Sequence, residues 1–303
     1  MEHAIGFDLG GSSVKAVVVT AAGDTLAQKN VSFDPSVPMD WARTIRQLTS
    51  DLQDEVAARF PSEPVKPRIG LSAPGLAARD RCSIACMPGR LQGLEGLNWA
   101  EYLPWESPIP VLNDAHAALL GEAWLGAAQG FDDVFLLTLG TGVGGAALVA
   151  GQLLRGHTGR GGHFGHSSLD PNGSPDITGM PGSLEDAIGN CSITVRTGGR
   201  YPTTHALVDA YKAGDQVAAE IWLKSVKALA CAVGSFINIV DPEAVIIGGG
   251  IARSGPALFE SLQKFLDAVE WRPTSHKVKI LPAKMGEYAG AYGSAAHALG
   301  KWQ

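Results

Sequence analysis

A few polar residues in this chain have the types and spacing that chemistry at an alcohol and a phosphate requires. Asp8 runs into Gly10-Gly11-Ser12-Ser13, and Asn113-Asp114 ends the apolar run PVLND. His163 and His166 stand three apart in RGGHFGH, and Glu185 closes the turn-rich stretch DITGMPGSLE at 176–185. Two further glycine turns, Gly140-Thr141-Gly142 and Gly248-Gly249-Gly250, follow apolar runs.

Glycines without side chains let backbone N–H groups face an anion, and the Ser12 hydroxyl adds a donor. A carboxylate beside phosphates repels them unless a cation lies between, so Asp8 points to Mg2+, held directly or through water. The competing reading of this stretch is a plain hairpin turn. Gly140 to Gly145 satisfies G-x-G-x-x-G, but the following AALVAGQLLRG reads as strand and turn, not helix. That excludes a dinucleotide fold and leaves a phosphate turn. Gly248 to Gly250 ends a strand; it either lets a flat base or sugar lie on the backbone or is a bare strand-to-helix turn. Asp114 either caps a helix or, with Asn113, grips a polyol and takes a hydroxyl proton. His163 and His166 lack a third metal ligand; they hydrogen-bond hydroxyls or are structural.

These groups need a scaffold. Residues 4–9 and 14–19 are short β-branched runs around GGSS and predict a hairpin, with a third strand near 25–32. Trp41, Ile45, Leu48, Leu52 and Val56 recur at helical spacing over 39–60. RIGLSAPGL (68–76) and 110–114 read as strands, the latter leading into a helix. Then the pattern restarts: 134–140 and 145–151 are again strand, glycine turn, strand. A helical stretch at 215–239, a buried strand at 243–250, a helix from Pro256 and a small-residue helix near the end follow. This predicts a duplicated α/β fold. The expected boundary is 112/113, the first domain holding 1–112 plus 288–303 and the second 113–287.

With 45% apolar and 18% charged residues the chain has an ordinary globular balance. A formal net charge of −6 without a basic block argues against nucleic acid as the partner. Cys82 and Cys86 lack the neighbours of a zinc set, and Cys191 and Cys231 stand alone, so the four read as buried or idle thiols of a reducing cytosol. No signal-peptide pattern opens the sequence, and no apolar run is read as spanning a bilayer. The expectation is a cytoplasmic protein with no membrane partner.

DLGGSSVK, SAPG, LNDAHAALLGE, LTLGTGVGG, GHFGH, SLE and IIGGG occur in the order found in the ROK family (repressors, open reading frames and kinases), which this chain resembles over nearly its whole length. The resemblance implies two RNase H-like, actin-like ATPase domains flanking a central cleft. It implies transfer of the ATP γ-phosphoryl to a hydroxyl of a hexose or hexose derivative, with Mg2+. On the matching positions, Asp114 falls on the catalytic base. Asn98, Asn113, His163, His166 and Glu185 fall on sugar-binding positions, with Asp114 beside them. Asp8, Gly10, Gly11, Ser12, Gly140, Thr141 and Gly142 fall on the phosphate side, and Gly248, Gly249 and Gly250 on the adenosine side. Homodimers are a family expectation.

The sequence departs from that pattern twice. Family members carry a histidine and then C-x-C-G-x-x-G-C-x-E, four ligands of a structural zinc. Here Asp176, Thr178 and Ser183 replace the three cysteines, while Gly179, Gly182 and Glu185 keep their places. Asp, Thr and Ser are poor substitutes for thiolates, so no structural zinc is expected and hydrogen bonds must hold the turn. The second departure is His163, where the family has Glu. His donates as well as accepts, which alters the reading of the sugar. Two rivals stand beside the kinase: a sugar-responsive repressor, disfavoured because Asp8 already lies in the phosphate turn, and a catalytically weak sugar-binding or sensor protein.

Overall fold

The computed structural model describes residues 2–61 and 66–302. The chain divides into two compact units: Met1–Gly130 with Gln152–Gly161 and Lys284–Gln303, and Phe131–Gly151 with Gly162–Ala283. The first cut falls after Gly130, beyond the 112/113 expected from the sequence. The helix after Asp114 stays with the first unit because its buried Glu122 is tied there. The Glu122 carboxylate accepts N–H bonds from Ala127, Lys284 and Met285 at 2.6–3.1 Å.

In the first unit, β1 (His3–Leu9) and β2 (Ser13–Thr20) form the expected antiparallel hairpin, extended by β3 (Thr25–Ser32). Helix α1 (Asp40–Arg59) buries Trp41, Ile45, Leu48, Leu52 and Val56 on one face. Each such burial contributes about 1.5–3 kcal/mol. Strand β4 (Arg68–Ala73) is shorter than the expected 68–76. Pro74 supplies no N–H for the ladder, and Gly75 at φ +99° turns the chain into a small hairpin, β5 (Leu76–Ala77) with β6 (Ile84–Cys86). After the short α2 (Trp99–Tyr102), β7 (Val111–Asn113) leads directly into α3 (Asp114–Leu125). The sheet order is β3-β2-β1-β4-β7, with β1, β4 and β7 parallel. The C-terminal helix (Ala289–Ala298) is buried along its length. It lies close on the sheet because Gly6 and Gly70 have no side chains: a Cβ there would meet Ala291 O at 1.9 Å and Ser294 O at 2.0 Å.

In the second unit, β8 (Val134–Leu139) and β9 (Val143–Val149) repeat the antiparallel hairpin. After β10 (Gln152–Leu153), which falls in the first unit, the second unit continues through α4 (Leu184–Ile188), α5 (Ile193–Thr197), α6 (Thr204–Lys212) and α7 (Gln216–Val240). Strand β11 (Ala244–Gly248), α8 (Pro256–Val269) and β12 (Lys279–Pro282) complete it. β11 is parallel to both β8 and β12, so the motif of the first unit recurs: a hairpin with a parallel strand beside its first member. Helix α7 corrects one expectation, since among the described residues it is long and apolar enough to cross a membrane. Lys224 and Lys227 hide this in the sequence. Trp222, Val226, Leu229, Val233 and Phe236 of α7 are buried in the core of the unit.

Candidate active site

Three parallel strands of the first unit bring their C-terminal ends side by side. Register pairs Asp8 with Ser72, and Ala73 with Asn113. This is the end of an open α/β sheet at which ligands bind. Asp8 is half-buried, and Ser72 donates its hydroxyl to Asp8 Oδ1 at 2.5 Å. Burial raises the Asp8 carboxyl to about 6; the Ser72 bond opposes this, the nearby Asp114 charge adds to it, and Lys15 opposes it. Ser72 lies within the SAPG motif, but nothing in the sequence distinguishes its role from that of any serine in a strand. Beyond Asp8 the chain reverses, with Gly10 N–H donating to Ser13 O at 2.9 Å. Gly11 and Ser12 are exposed.

The N-cap of α3 is Asn113, not Asp114. Asn113 Oδ1 accepts from Ala115 N at 3.0 Å and His116 N at 3.3 Å, while its Nδ2 donates to Gly75 O at 2.9 Å. Asn113 is 4% exposed, so its amide mostly serves the protein: it caps the helix and anchors the turn after β4. With the cap taken, Asp114 occupies the first helical position with its surface open to solvent. Crowding by protein raises its carboxyl, partly offset by bonds from the Ala115 N–H and the Asn113 side chain. Asn98 caps the short α2 and is exposed; its Oδ1 accepts from Ala100 N and its Nδ2 donates to Glu101 Oε1 at 2.8 Å.

The second unit gathers another set. The turn between β8 and β9 closes with Gly140 N–H donating to Gly142 O at 2.9 Å. The loop after α4 supports it: Asn190 N–H donates to Gly140 O and Cys191 N–H to Thr141 O, at 2.9 and 2.7 Å. Glu185, on the first turn of α4, accepts from Val143 N at 2.8 Å. The glycine turn and the glutamate therefore form one piece. Sequence reading missed Asn190, whose side chain also accepts from Thr204 N at the start of α6.

His163 and His166 flank Phe164 in a short 3-10 turn. Phe164 is the anchor, with its ring 5.3 Å from Phe135 of β8 and 4.6 Å from Phe236 of α7. Gly165 lies against β9, where a Cβ would meet Val143 O at 1.9 Å. GHFGH is thus shaped by packing, and its two histidines are carried by that packing. His166 Nδ1 lies 2.8 Å from Asp176 Oδ2. Asp176 Oδ1 accepts from Thr178 N, Thr178 Oγ1 and Met180 N at 2.7–3.0 Å. Although burial opposes it, this ring of donors, His166 included, holds the Asp176 carboxyl far below the usual range. Ser183 caps α4, accepting from Asp186 N at 3.2 Å. DITGMPGSLE is thus a hydrogen-bonded knuckle centred on Asp176. Among the described residues no group of three His, Cys, Asp or Glu has the geometry of a metal site.

The third turn, Gly248 to Gly250, follows β11. Gly249 has φ +86°, and His205 of α6 contacts Gly250 O at 3.1 Å. It leaves the sheet for a short 3-10 turn and then α8, whose first residue is Pro256.

Residues 4–301 match the ROK family model. A glucokinase of Thermotoga maritima is 31% identical over 311 residues, covering 96% of each chain. Among solved structures, a ROK hexokinase from Thermus thermophilus is 28% identical with a TM-score of 0.82, covering 99% of this chain and 98% of that one. A ROK family glucokinase from Streptomyces griseus, in complex with glucose and AMPPNP, is 26% identical with a TM-score of 0.73, covering 98% of this chain and 99% of that one. The order of motifs, the repeated hairpin-and-parallel-strand unit and these likenesses over the full length agree: the two units have the RNase H-like, actin-like ATPase fold, and the chain belongs to the ROK family.

Proposed function

We propose that this protein is an ATP-dependent sugar kinase that phosphorylates a hydroxyl of a hexose or hexose derivative, with Asp114 as general base. The observation that carries this reading is the pair of carboxylates at the ends of β1 and β7. Loss of surrounding water raises both carboxyls, and the Asp114 charge raises Asp8 further. Asn113 does the capping and so leaves Asp114 free to face a ligand. A carboxylate with a raised pKa is a better proton acceptor than an ordinary one.

In this reading the substrate hydroxyl approaches Asp114, which takes its proton as the oxygen attacks the γ-phosphorus and the bond from that phosphorus to the β,γ-bridging oxygen breaks, with ADP as the leaving group. The turns at Gly10–Ser12 and Gly140–Gly142 hold the phosphates, with the Gly10 and Gly140 N–H groups spent on closing each turn and the N–H groups that follow them left for phosphate oxygens, and Gly248–Gly250 lies beside the adenosine. Asn98, Asn113, His163, His166 and Glu185 contact the sugar. The donor set at Asp8 fits Mg2+: Oδ1 is held by Ser72 and Oδ2 remains for a cation. Mg2+ binds through one or two carboxylates plus phosphates and water rather than an all-protein cage. When bound there, it would neutralise phosphate charge during in-line transfer. A cytoplasmic location belongs to the same reading.

Release of ADP across a panel of hexoses and N-acetyl hexosamines, with Mg2+-ATP, tests the proposal. Sugar-dependent turnover with one preferred hexose is expected. Tight sugar binding without turnover would replace the kinase by a sensor.

A further inference from the structure

We infer that Asp176 is a positioning residue that sets the tautomer of His166, so that His166 presents Nε2 to the acceptor sugar as a hydrogen-bond acceptor and not as a donor. The inference rests on the reading of His166 as a sugar contact.

The geometry leaves the Asp176–His166 bond one polarity. Asp176 Oδ1 accepts two hydrogen bonds from Thr178 and one from the Met180 N–H. A carboxylate surrounded by such donors stays ionised, and an ionised carboxylate only accepts. At 2.8 Å, Nδ1 must therefore carry the hydrogen that points at Asp176 Oδ2. A neutral imidazole has one N–H, so Nε2 is left bare. The ring is also fixed in direction: Phe164 packs between Phe135 and Phe236 two residues before it, and Gly165 lies on β9. Asp176 is in turn fixed by its own loop. The sequence shows only a histidine and an aspartate ten residues apart; their pairing is a property of the folded knuckle.

The consequence concerns the substrate. The hydroxyl that meets Nε2 must donate its hydrogen to the ring. A sugar with fluorine at that position cannot donate, and its fluorine faces a lone pair. Fluoro and deoxy sugars should therefore be equally poor at one ring position. Were Nε2 a donor, fluorine would serve partly as an acceptor and the fluoro sugar would outperform the deoxy sugar.

Three measurements test this. Nitrogen-15 NMR of the imidazoles, at a pH where His166 is neutral, should show its Nε2 as a bare, pyridine-type nitrogen in the sugar-free protein. Asp176→Asn offers Nδ1 either an oxygen or an N–H, so it should mix the tautomers and raise the sugar KM about tenfold while kcat changes little, as loss of one uniform binding contact does. Thr178→Val removes a loop bond to the same carboxylate without touching His166, and should leave tautomer and KM as they are. An Nε2 that carries the proton in the wild-type protein would overturn the inference, as would a fluoro sugar that outperforms its deoxy counterpart at every position. The NMR and the analogue series use the wild-type chain, so they decide even if Asp176→Asn fails to fold. If no sugar supports ADP release, the kinase reading fails separately, and the NMR result still judges the tautomer.

Discussion

Glu185 accepts the backbone N–H of Val143 at 2.8 Å, which joins the end of the knuckle to the end of the glycine turn between β8 and β9. The two stretches lie more than forty residues apart in sequence, yet a Cβ on Gly142 would stand 2.2 Å from Glu185 Oε2. Gly142→Ala must therefore push the carboxylate away from its place. Expected is a rise of about tenfold in sugar KM, together with a loss in kcat because the phosphate turn shifts too. Equal kinetics in wild type and variant would show that Glu185 is not held by this turn.

Asp114→Asn keeps the shape and the first-turn position of the side chain but removes the base. It should lower kcat by ~10²–10⁴, with sugar affinity nearly retained. Turnover near the wild-type level would remove Asp114 from the chemistry.

Asp8 links stability to pH. Its carboxyl titrates at about 6 in the folded protein, whereas an unfolded aspartate titrates near ~4. Between these values the native state binds more protons, so this group's contribution falls as pH rises and is lost above pH ~6. Asp8→Asn removes that loss. The Tm of the variant should match the wild type near pH 4 and exceed it by a few degrees near pH 7, while phosphoryl transfer is abolished. Thermal melts across that range check it; a variant less stable at pH 7 than at pH 4, relative to wild type, contradicts the assignment.

The resemblance to the ROK pattern puts His163 at the position where that pattern usually has Glu. His163→Glu should shift the order of kcat/KM among glucose, mannose, fructose and the N-acetyl hexosamines. An unchanged order would mean that His163 does not read the sugar.

The knuckle should need no metal. Elemental analysis of the purified protein is expected to find no stoichiometric zinc, and chelators should leave its thermal unfolding unchanged in the absence of Mg2+-ATP. One zinc per chain would show that His166 and Asp176 recruit further ligands. With only hydrogen bonds, each contributing about 0.5–1.5 kcal/mol, the loop should gain hydrogen-exchange protection when sugar binds.

Much of the fold was legible in the sequence, because period and punctuation are local. The hairpin strands, α1 with its apolar stripe and the repeat that restarts at Val134 follow from residue spacing alone. The ordered motifs DLGG, ND, GTG, GHFGH and IIGGG likewise bring the family and the candidate residues into view without coordinates.

Only the tertiary structure decided how those residues are engaged, since hydrogen-bond partners distant in sequence leave no periodic trace. Nothing in the string marks Ser72 as the partner of Asp8, or shows that Asn113 takes the helix cap and leaves Asp114 open. The loss of the knuckle's cysteines was visible at once, but that Asp176 serves as its centre and orients His166 required the loop to be folded. The place where the chain divides was also a matter of packing: α3 belongs to the first unit because Glu122 finds its backbone partners at Lys284 and Met285. A sequence specifies its elements through short-range sterics and hydrophobic period, whereas burial, charge and hydrogen-bond polarity at a site arise only when those elements meet.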